Sequence, residues 1–303
     1  MSDDVVCPLC QHSESTVEDT FDVANVAREW IRVFGINIQQ EMSDVSQFRL
    51  YKCAACALGF FKPENVAGSP ALYEALQEFD WYYMPRKWEH DVALLDIHGC
   101  RKGMEIGCGT GDFVKRVLED KEIAFEGCEQ NPSAVKAARR KGLRVHLESA
   151  ENLAQLYPGS YDVVCSFQVL EHVTRPGSFL DAASMLLRPG GKLLLGLPNA
   201  QSFLRHQFNL LDMPPHHMTR WTEDVLLHLQ QLFPLKLVHV AFEPLPDYQL
   251  HDYVEAYWRA LSKSWLRIPS IPAIQELLTK IVQLSGLRRF LTGQTVYVCY
   301  TRI

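Results

Sequence analysis

A short apolar run, a glycine turn and an amphipathic run succeed one another in GMEIGCGTGDFVKRVLED, which begins at Gly103. No other stretch narrows the possible folds so far. Gly107, Gly109 and Gly111 form a G-x-G-x-G turn between a predicted strand and a predicted helix. Glycines at such a junction permit positive φ, and they let backbone amides approach a ligand with no Cβ in the way. Taken alone the turn is weak, because dehydrogenases also place glycines after their first strand.

The next segments of the chain extend the pattern. IAFEGCEQNPSAVKAARRKGL reads as a second strand ending at Glu129, then a helix. A carboxylate at that strand end can accept hydrogen bonds from both hydroxyls of a ribose. RVHLESAENL supplies a third strand and turn, and SYDVVCSFQVLEHV a fourth strand whose tip enters a loop. LRPGGKLLLGLPNA gives a helix end, a Gly-Gly turn and a fifth strand. Strand and helix alternating at this spacing predict an α/β fold with a doubly wound, Rossmann-like parallel sheet. LKLVHVAFE (235–243) and TVYVCYTRI (295–303) would complete seven strands as an antiparallel pair at the edge. Between them lies an insertion, 244–294, whose segments HDYVEAYWRALSKSW and AIQELLTKIVQLSGLRRF both carry helical apolar spacing.

Nine cysteines divide into two spaced pairs and five singles. The start, MSDDVVCPLC, lacks a basic-then-apolar signal pattern. An odd total without such a signal favours reduced thiols in a cytoplasmic setting. Cys7-Pro-Leu-Cys10 and Cys53-Ala-Ala-Cys56 are both C-x-x-C, and four thiolates can close a tetrahedral zinc site. One such pair could be a redox motif; two within 60 residues point to structural zinc with no open coordination position. Between the pairs, VANVAREWIRVFGI sets Val23, Val26, Ala27, Trp30, Val33 and Phe34 at helical spacing, so a helix is expected inside the module. The expected organisation is a zinc module at 1–66, a helical linker at 67–98 and a catalytic domain at 99–303 that contains the 244–294 insertion.

Charge excludes some roles. A net charge of −6 and a pI of about 6.0 argue against a dedicated nucleic-acid binder. Residues 1–70 carry ten acidic and five basic side chains, whereas 251–303 carry seven basic and three acidic ones. The basic end is either a solvated face or room for an anionic small-molecule or glycan partner. No apolar run is long enough for a transmembrane segment, and oligomeric state is left open.

The order EIGCGTG, VLEHV, LRPGG resembles the class I S-adenosylmethionine-dependent methyltransferases. The cysteine pairs with CALGFFKP, FDWYYMPRKWEHD and PPHHMTRWT resemble, more narrowly, the bacterial subgroup with an N-terminal zinc-binding segment. That subgroup is often associated with sugar, polysaccharide or natural-product modification. The resemblance covers residues 5 to about 245 well and the last 60 poorly. It implies that Gly107, Cys108, Gly109 and Gly111 pack around the methionyl part of S-adenosylmethionine, with Glu105 orienting its ammonium. It further implies that Glu129 holds the ribose beside Gln130, that Ala150 and Glu151 reach the adenine edge, and that Gln168 and Val169 close over the sulfonium. Ser149 departs from the aspartate many relatives carry there. Tyr82 or Tyr83 is a further candidate cofactor contact, and 244–294 a candidate cap, dimer surface or membrane-surface contact.

The stretch LDMPPHHMTRWTED (211–224) comes after the fifth strand and should emerge where ligands of such sheets bind. Pro214 and Pro215 stiffen the chain ahead of His216 and His217, and Thr222 reads as the N-cap of the next helix. Neutral imidazole suits proton removal near neutral pH, so His217, then His216, are the candidate catalytic bases or acceptor-orienting groups; a purely structural turn ahead of the helix is the alternative. One ring is expected to point into the acceptor cavity and the other to support the loop. Adjacent histidines cannot easily aim at one ion, and no third ligand stands at useful spacing, so no metal is expected there. His172 is expected to shape its loop. The functional expectation is methyl transfer to an O or C acceptor on a small molecule, sugar or lipid-linked glycan intermediate. Ribosomal RNA methylation, a silent S-adenosylmethionine-binding scaffold and, more distantly, an NAD dehydrogenase are the rivals.

Overall fold

A computed structural model of the chain describes residues 5–79, 81–82, 84, 86–120, 122–263 and 272–303. Tyr83 and the middle of the expected insertion, 264–271, lie outside the described residues.

The amino-terminal third forms an antiparallel sheet. Strand β1 (Ser15–Asp22) pairs with β2 (Gln47–Cys53), and β2 with β3 (Gly59–Lys62). Helix α1 (Val23–Phe34) leaves β1 under an Asp22 cap, whose side chain accepts from Asn25 N at 2.9 Å. Gly35, at φ 69°, ends it in the left-handed conformation that glycine adopts without a Cβ penalty. Val23, Val26, Ala27 and Trp30 are buried as the spacing predicts, but Val33 is 49% exposed. At about 3.6 residues per turn Val33 falls at the margin of the stripe, where the sheet no longer covers it.

Helices α2 (Pro70–Gln77) and α3 (Trp88–Asp96) lead to the second sheet. There β4 (Lys102–Ile106), α4 (Asp112–Asp120), β5 (Ala124–Glu129), α5 (Pro132–Arg140), β6 (Val145–Leu147) and α6 (Ala150–Leu156) alternate. They are followed by β7 (Tyr161–Phe167), α7 (Pro176–Leu186) and β8 (Leu187–Pro198). The two-residue β9 (Thr219–Arg220) and α8 (Glu223–Leu232) precede the edge strand β10 (Leu235–Pro244). Helices α9 (Leu250–Lys263) and α10 (Pro272–Ser285) separate it from β11 (Thr292–Arg302).

Seven strands assemble in the order β10-β11-β8-β7-β4-β5-β6. The five consecutive strands from β8 to the edge strand β6 run parallel, and β11 runs antiparallel to β8 and β10. This is the doubly wound, seven-stranded sheet the alternation predicts. Every residue of β7 (YDVVCSF) is buried, as expected of a central strand covered by helices on both faces. From β4 the chain moves out through β5 and β6, then crosses back to β7 and β8 on the other side. The carboxyl ends of β4 and β7 therefore diverge, and a crevice opens between them.

One strand is invisible in the sequence. β9 joins the amino-terminal sheet, with Gly59 opposite Arg220 and Phe60 opposite Thr219. Two residues are too few to show a period of two. The two sheets also share a core: Cys7, Leu9, Cys53, Cys56 and Phe60 pack in one cluster with Leu170, Phe179 and Trp221. No residue of α10 is buried. Among the described residues, no helix is long and apolar enough to cross a membrane.

Candidate active site

The crevice at the carboxyl ends of β4 and β7 widens into a cleft of about 1020 Å³. Gly107, Gly109 and Gly111 stand at φ 73°, 51° and 79°, all in the left-handed region. A Cβ on Gly107 would come within 2.4 Å of Val169 Cγ2, so this glycine lets the loop after β7 close on the loop after β4. Gly111 does not line the cleft. It faces Leu143, whose Cδ1 would lie 2.5 Å from an added Cβ, so its smallness serves helix packing rather than ligand approach.

The other ten residues expected around the cofactor, from Glu105 to Val169, line the cleft. Glu129 ends β5 with Oε2 accepting from Gly109 N at 3.0 Å and Oε1 from the amides of Gln130 (2.7 Å) and Asn131 (2.9 Å). Three amides thus fix the carboxylate across the mouth of the glycine loop. Glu105 is buried, and its Oε2 has no hydrogen-bond partner among the described residues. Burial pushes its carboxyl up to about 8; Lys87 pulls it down, and Glu129 and Asp112 push it further up. Ser149, the departure from the expected aspartate, caps α6 by accepting from Asn152 N at 3.2 Å. Ala150 and Glu151 come next as that helix's first residues.

Gln168 adopts φ 56°, rare for a residue with a side chain. Its amide donates to Gly196 O at 2.8 Å, and its Nε2 donates to Glu89 Oε1 at 2.9 Å. Nothing in the sequence singles out Glu89. It lies in the first turn of α3 and is 2% exposed, and only the fold brings it beside β7.

At the other end of the cleft, His216 and His217 both belong to the lining. Their rings stack at 4.5 Å with 21° between planes. The 3₁₀ turn Leu170–His172 brings His172 against both, at 4.6 Å and 4.8 Å between centroids. His172 Nδ1 contacts His216 O at 2.7 Å, His216 Nδ1 contacts Leu211 O at 2.8 Å, and His217 Nδ1 faces Asp212 Oδ1 at 3.4 Å. All three partners are acceptors, so each Nδ1 carries the proton and each Nε2 keeps its lone pair. Tyr82 OH lies 3.1 Å from His216 Nε2 and donates to it. Burial holds His172 down at about 4 and His216 and His217 well below the usual imidazole range, so all three are neutral.

The expectation of no metal at His216 and His217 has two grounds, that adjacent imidazoles cannot easily aim at one ion and that no third ligand stands nearby in sequence; the stacked rings leave the first in place, and the second is the one that changes. That ground falls, because His172 arrives from 44 residues upstream. Glu171 beside it is 1% exposed, and neither carboxylate oxygen has a hydrogen-bond partner among the described residues. Burial pushes Glu171 up to about 8. Asp212, raised by burial to about 6, is held by Arg220 Nε at 3.0 Å. Of the insertion, Pro246, Tyr248 and Gln294 line the cleft, and among the described residues none of α9 or α10 does.

Cys7, Cys10, Cys53 and Cys56 come together beneath this wall. Cys7 and Cys56 sulfurs lie 3.6 Å apart, Cys10 and Cys53 sulfurs 3.5 Å, and all four fall within 4.8 Å of one another. Four sulfurs each about 2.3 Å from one zinc would stand about 3.8 Å apart, so the set fits that ion. The two knuckles share one backbone design. Cys7 N donates to His12 O and Cys53 N to Leu58 O, and the residues after each second cysteine, Gln11 and Ala57, both adopt φ 61°. Cys108, Cys128 and Cys165 are buried in packing, with thiols raised by that burial.

Comparison with known proteins gives a consistent reading. Residues 104–193 match the sequence family described as a methyltransferase domain. A ubiquinone biosynthesis O-methyltransferase from Xanthomonas oryzae pv. oryzae (strain PXO99A) is 33% identical over 121 residues, 38% of this chain and 50% of that protein. One of the same name from Thiobacillus denitrificans is 32% identical over 112 residues, 34% of this chain and 48% of that protein. The chain thus spans about half the length of the curated relatives it matches. Among solved structures, a SAM-dependent methyltransferase from Archaeoglobus fulgidus is 17% identical with a TM-score of 0.46, covering 70% of this chain and 94% of that one.

Proposed function

Since residues 104–193 of this chain form a class I S-adenosylmethionine-dependent methyltransferase domain, we propose that the protein methylates a hydroxyl on a small organic acceptor and carries one structural zinc. The carrying observation is the single cleft that joins two chemically distinct walls. One wall is the glycine loop with Glu105 and Glu129; the other is three neutral imidazoles.

The unpartnered Glu105 oxygen suits the ammonium of a methionyl group, and Glu129 suits ribose hydroxyls. Gly107, Cys108 and Gly109 leave room for the methionyl chain, Gln130, Ala150 and Glu151 flank the adenine, and Gln168 with Val169 walls the sulfonium end. When bound, S-adenosylmethionine supplies an electrophilic methyl group. The protein's part is to align the acceptor, exclude water and receive a proton. We assign that last role to His217, supported by His216 stacked beside it; both residues line the cleft. The O-methyltransferase names of the relatives support oxygen as the acceptor atom; sugars and lipid-linked glycan intermediates are the substrate classes we favour.

The four cysteines would hold zinc through Cys7, Cys10, Cys53 and Cys56. When bound, the ion supplies a cross-link between the knuckles. Pro8 O accepts from Gly177 N at 3.3 Å, so the first knuckle braces the start of α7, just beyond the His172 turn.

The test is direct. Purified protein with S-adenosylmethionine and a panel of sugars, nucleotide sugars, phenols and lipid-linked intermediates should release S-adenosylhomocysteine with one acceptor class. His217→Ala should cut that turnover about 10²–10⁴-fold and leave cofactor affinity nearly unchanged. A chain that fails to bind S-adenosylmethionine by calorimetry sinks the reading.

A further inference from the structure

We propose that His172, His216 and His217, with Glu171, form a second metal site: a binding place for one divalent transition-metal ion on the acceptor side of the cleft. One ring nitrogen of each histidine lies within 4.8 Å of the others. Imidazole nitrogens about 2.0–2.1 Å from a tetrahedral ion stand about 3.3 Å apart, so the rings must close up, and the stacked pair His216 and His217, 21° between planes, must also turn toward a common point.

Hydrogen bonding has already oriented the rings for this. Metal-bound histidines donate their other ring N–H to a carbonyl or carboxylate, which fixes the tautomer and the ring plane. Here His172 Nδ1–H points to His216 O, His216 Nδ1–H to Leu211 O, and His217 Nδ1–H to Asp212 Oδ1, itself held by Arg220. Nε2 is then the nitrogen each ring has left for a ligand, that of His216 now accepting from Tyr82 OH, and each of the three rings in contact spends Nδ1 on an acceptor. A helix cap or loop staple would require one such bond, not three.

Glu171 is the independent observation. Its carboxyl group is 1% exposed, both oxygens lack a hydrogen-bond partner among the described residues, and Oε1 lies 3.8 Å from His172 Nε2. That separation is within the span of two ligands on one ion, at most about 4.2 Å when they oppose each other, but Glu171 lies outside the 4.8 Å set of the three imidazoles and its carboxyl group would have to swing in to join them. A buried carboxylate with no partner is costly, and a cation beside it removes the cost. Three imidazoles and one carboxylate suit zinc, iron, cobalt or manganese better than calcium. Tyr82 OH, which now donates to His216 Nε2, would give way to the ion.

Because the three rings line the cleft, an acceptor oxygen could reach the ion in place of Glu171 or as a fifth ligand. With the ion bound, His217 Nε2 would be a ligand and no longer the proton acceptor assigned above. The use of the ion, lowering the pKa of an acceptor hydroxyl bound to it, would then replace that role and rests on the methyl-transfer reading above. Its presence does not.

The test uses the full chain with its cysteine site loaded with zinc and loosely held metal stripped by a chelator. Cobalt(II) alone is then titrated. One equivalent should bind with visible d–d absorption and no thiolate charge-transfer band. Proton NMR of the cobalt form should show three hyperfine-shifted exchangeable signals, one for each Nδ1–H. His172→Ala and His217→Ala should each weaken cobalt binding by more than the roughly 10–100-fold typical of losing a supporting contact, and Glu171→Gln should weaken it too. His251→Ala, in an exposed His-Asp-Glu group, should change nothing. The proposal is overturned if no cobalt binds, if binding follows His251, or if the wild-type complex lacks the shifted imidazole protons, a readout that survives any folding failure of the variants. Cobalt binding without turnover on any acceptor would instead remove the methyl-transfer reading and leave the site.

Discussion

Gln168 and Glu89 meet across 2.9 Å, joining the loop after β7 to a helix ahead of the first strand of the parallel sheet. Gln168 holds a left-handed backbone conformation there, which costs energy unless its surroundings fix it. Gly196 permits the arrangement, because a Cβ at that position would lie 2.8 Å from Glu89 Cγ.

Removing the acceptor should therefore loosen the loop. Glu89→Ala leaves Gln168 Nε2 without that bond, and cofactor affinity should fall by about 1–2 kcal/mol, roughly 5–30-fold. Calorimetry with S-adenosylhomocysteine measures it, and a thermal melt shows whether the fold is retained. Unchanged affinity in a folded variant would mean the loop is positioned by Val169 alone.

The approach of Val169 to Gly107 offers a second check. Gly107→Ala adds both a clash at 2.4 Å and a side chain at φ 73°. Val169→Ala removes the atoms it would strike. The double variant should recover part, not all, of the stability lost by Gly107→Ala, since the backbone strain of roughly 1 kcal/mol or more remains. Full recovery in chemical denaturation would show that only the clash matters.

Much of the frame is legible in the sequence because it rests on local patterns. The glycine turn, Glu129 at a strand end and the leucine-rich β8 each announce themselves within a few residues. The illegible part depends on chain crossing. Glu89 and His172 acquire their partners only once the sheet folds, and their neighbours in sequence carry no sign of it. Val33 escapes the buried stripe because spacing defines a stripe and not its width. Sequence spacing likewise hides the ion-binding capacity of the pair at 216–217, because the third imidazole stands far away along the chain.

Metal removal tests the knuckles. Zinc content should be one per chain through the four cysteines, and Cys53→Ser should lose it and lower the melting temperature. Because Cys7, Cys53 and Cys56 share a core with Leu170 and Phe179, the loss should also weaken the His172 turn. Hydrogen exchange at residues 170–173 should rise in Cys53→Ser. Native stability in a zinc-free wild type would end the structural-zinc reading.

The pH dependence of cofactor binding should report on Glu105. Its folded pKa, about 8, lies above the ordinary carboxylate value, because burial favours the neutral acid. A raised carboxyl adds stability below its unfolded pKa, and that stability is lost as pH rises from there through about 8. An ammonium placed beside Oε2 favours the ionised form, so binding should release a proton in neutral solution. Affinity for S-adenosylhomocysteine should then climb from about pH 6 to about pH 7.5, and flatten as the ligand's own amine, with a pKa of about 8, begins to lose its charge. Calorimetry in buffers of different ionisation enthalpy should show the released proton directly. Lys87, Glu129 and Asp112 also act on the carboxyl, so Glu105→Gln is the control. That variant should bind more weakly at pH 7.5 and lose the slope. A slope that persists in Glu105→Gln would assign the titration to another group and leave the buried carboxylate without a part in ammonium recognition.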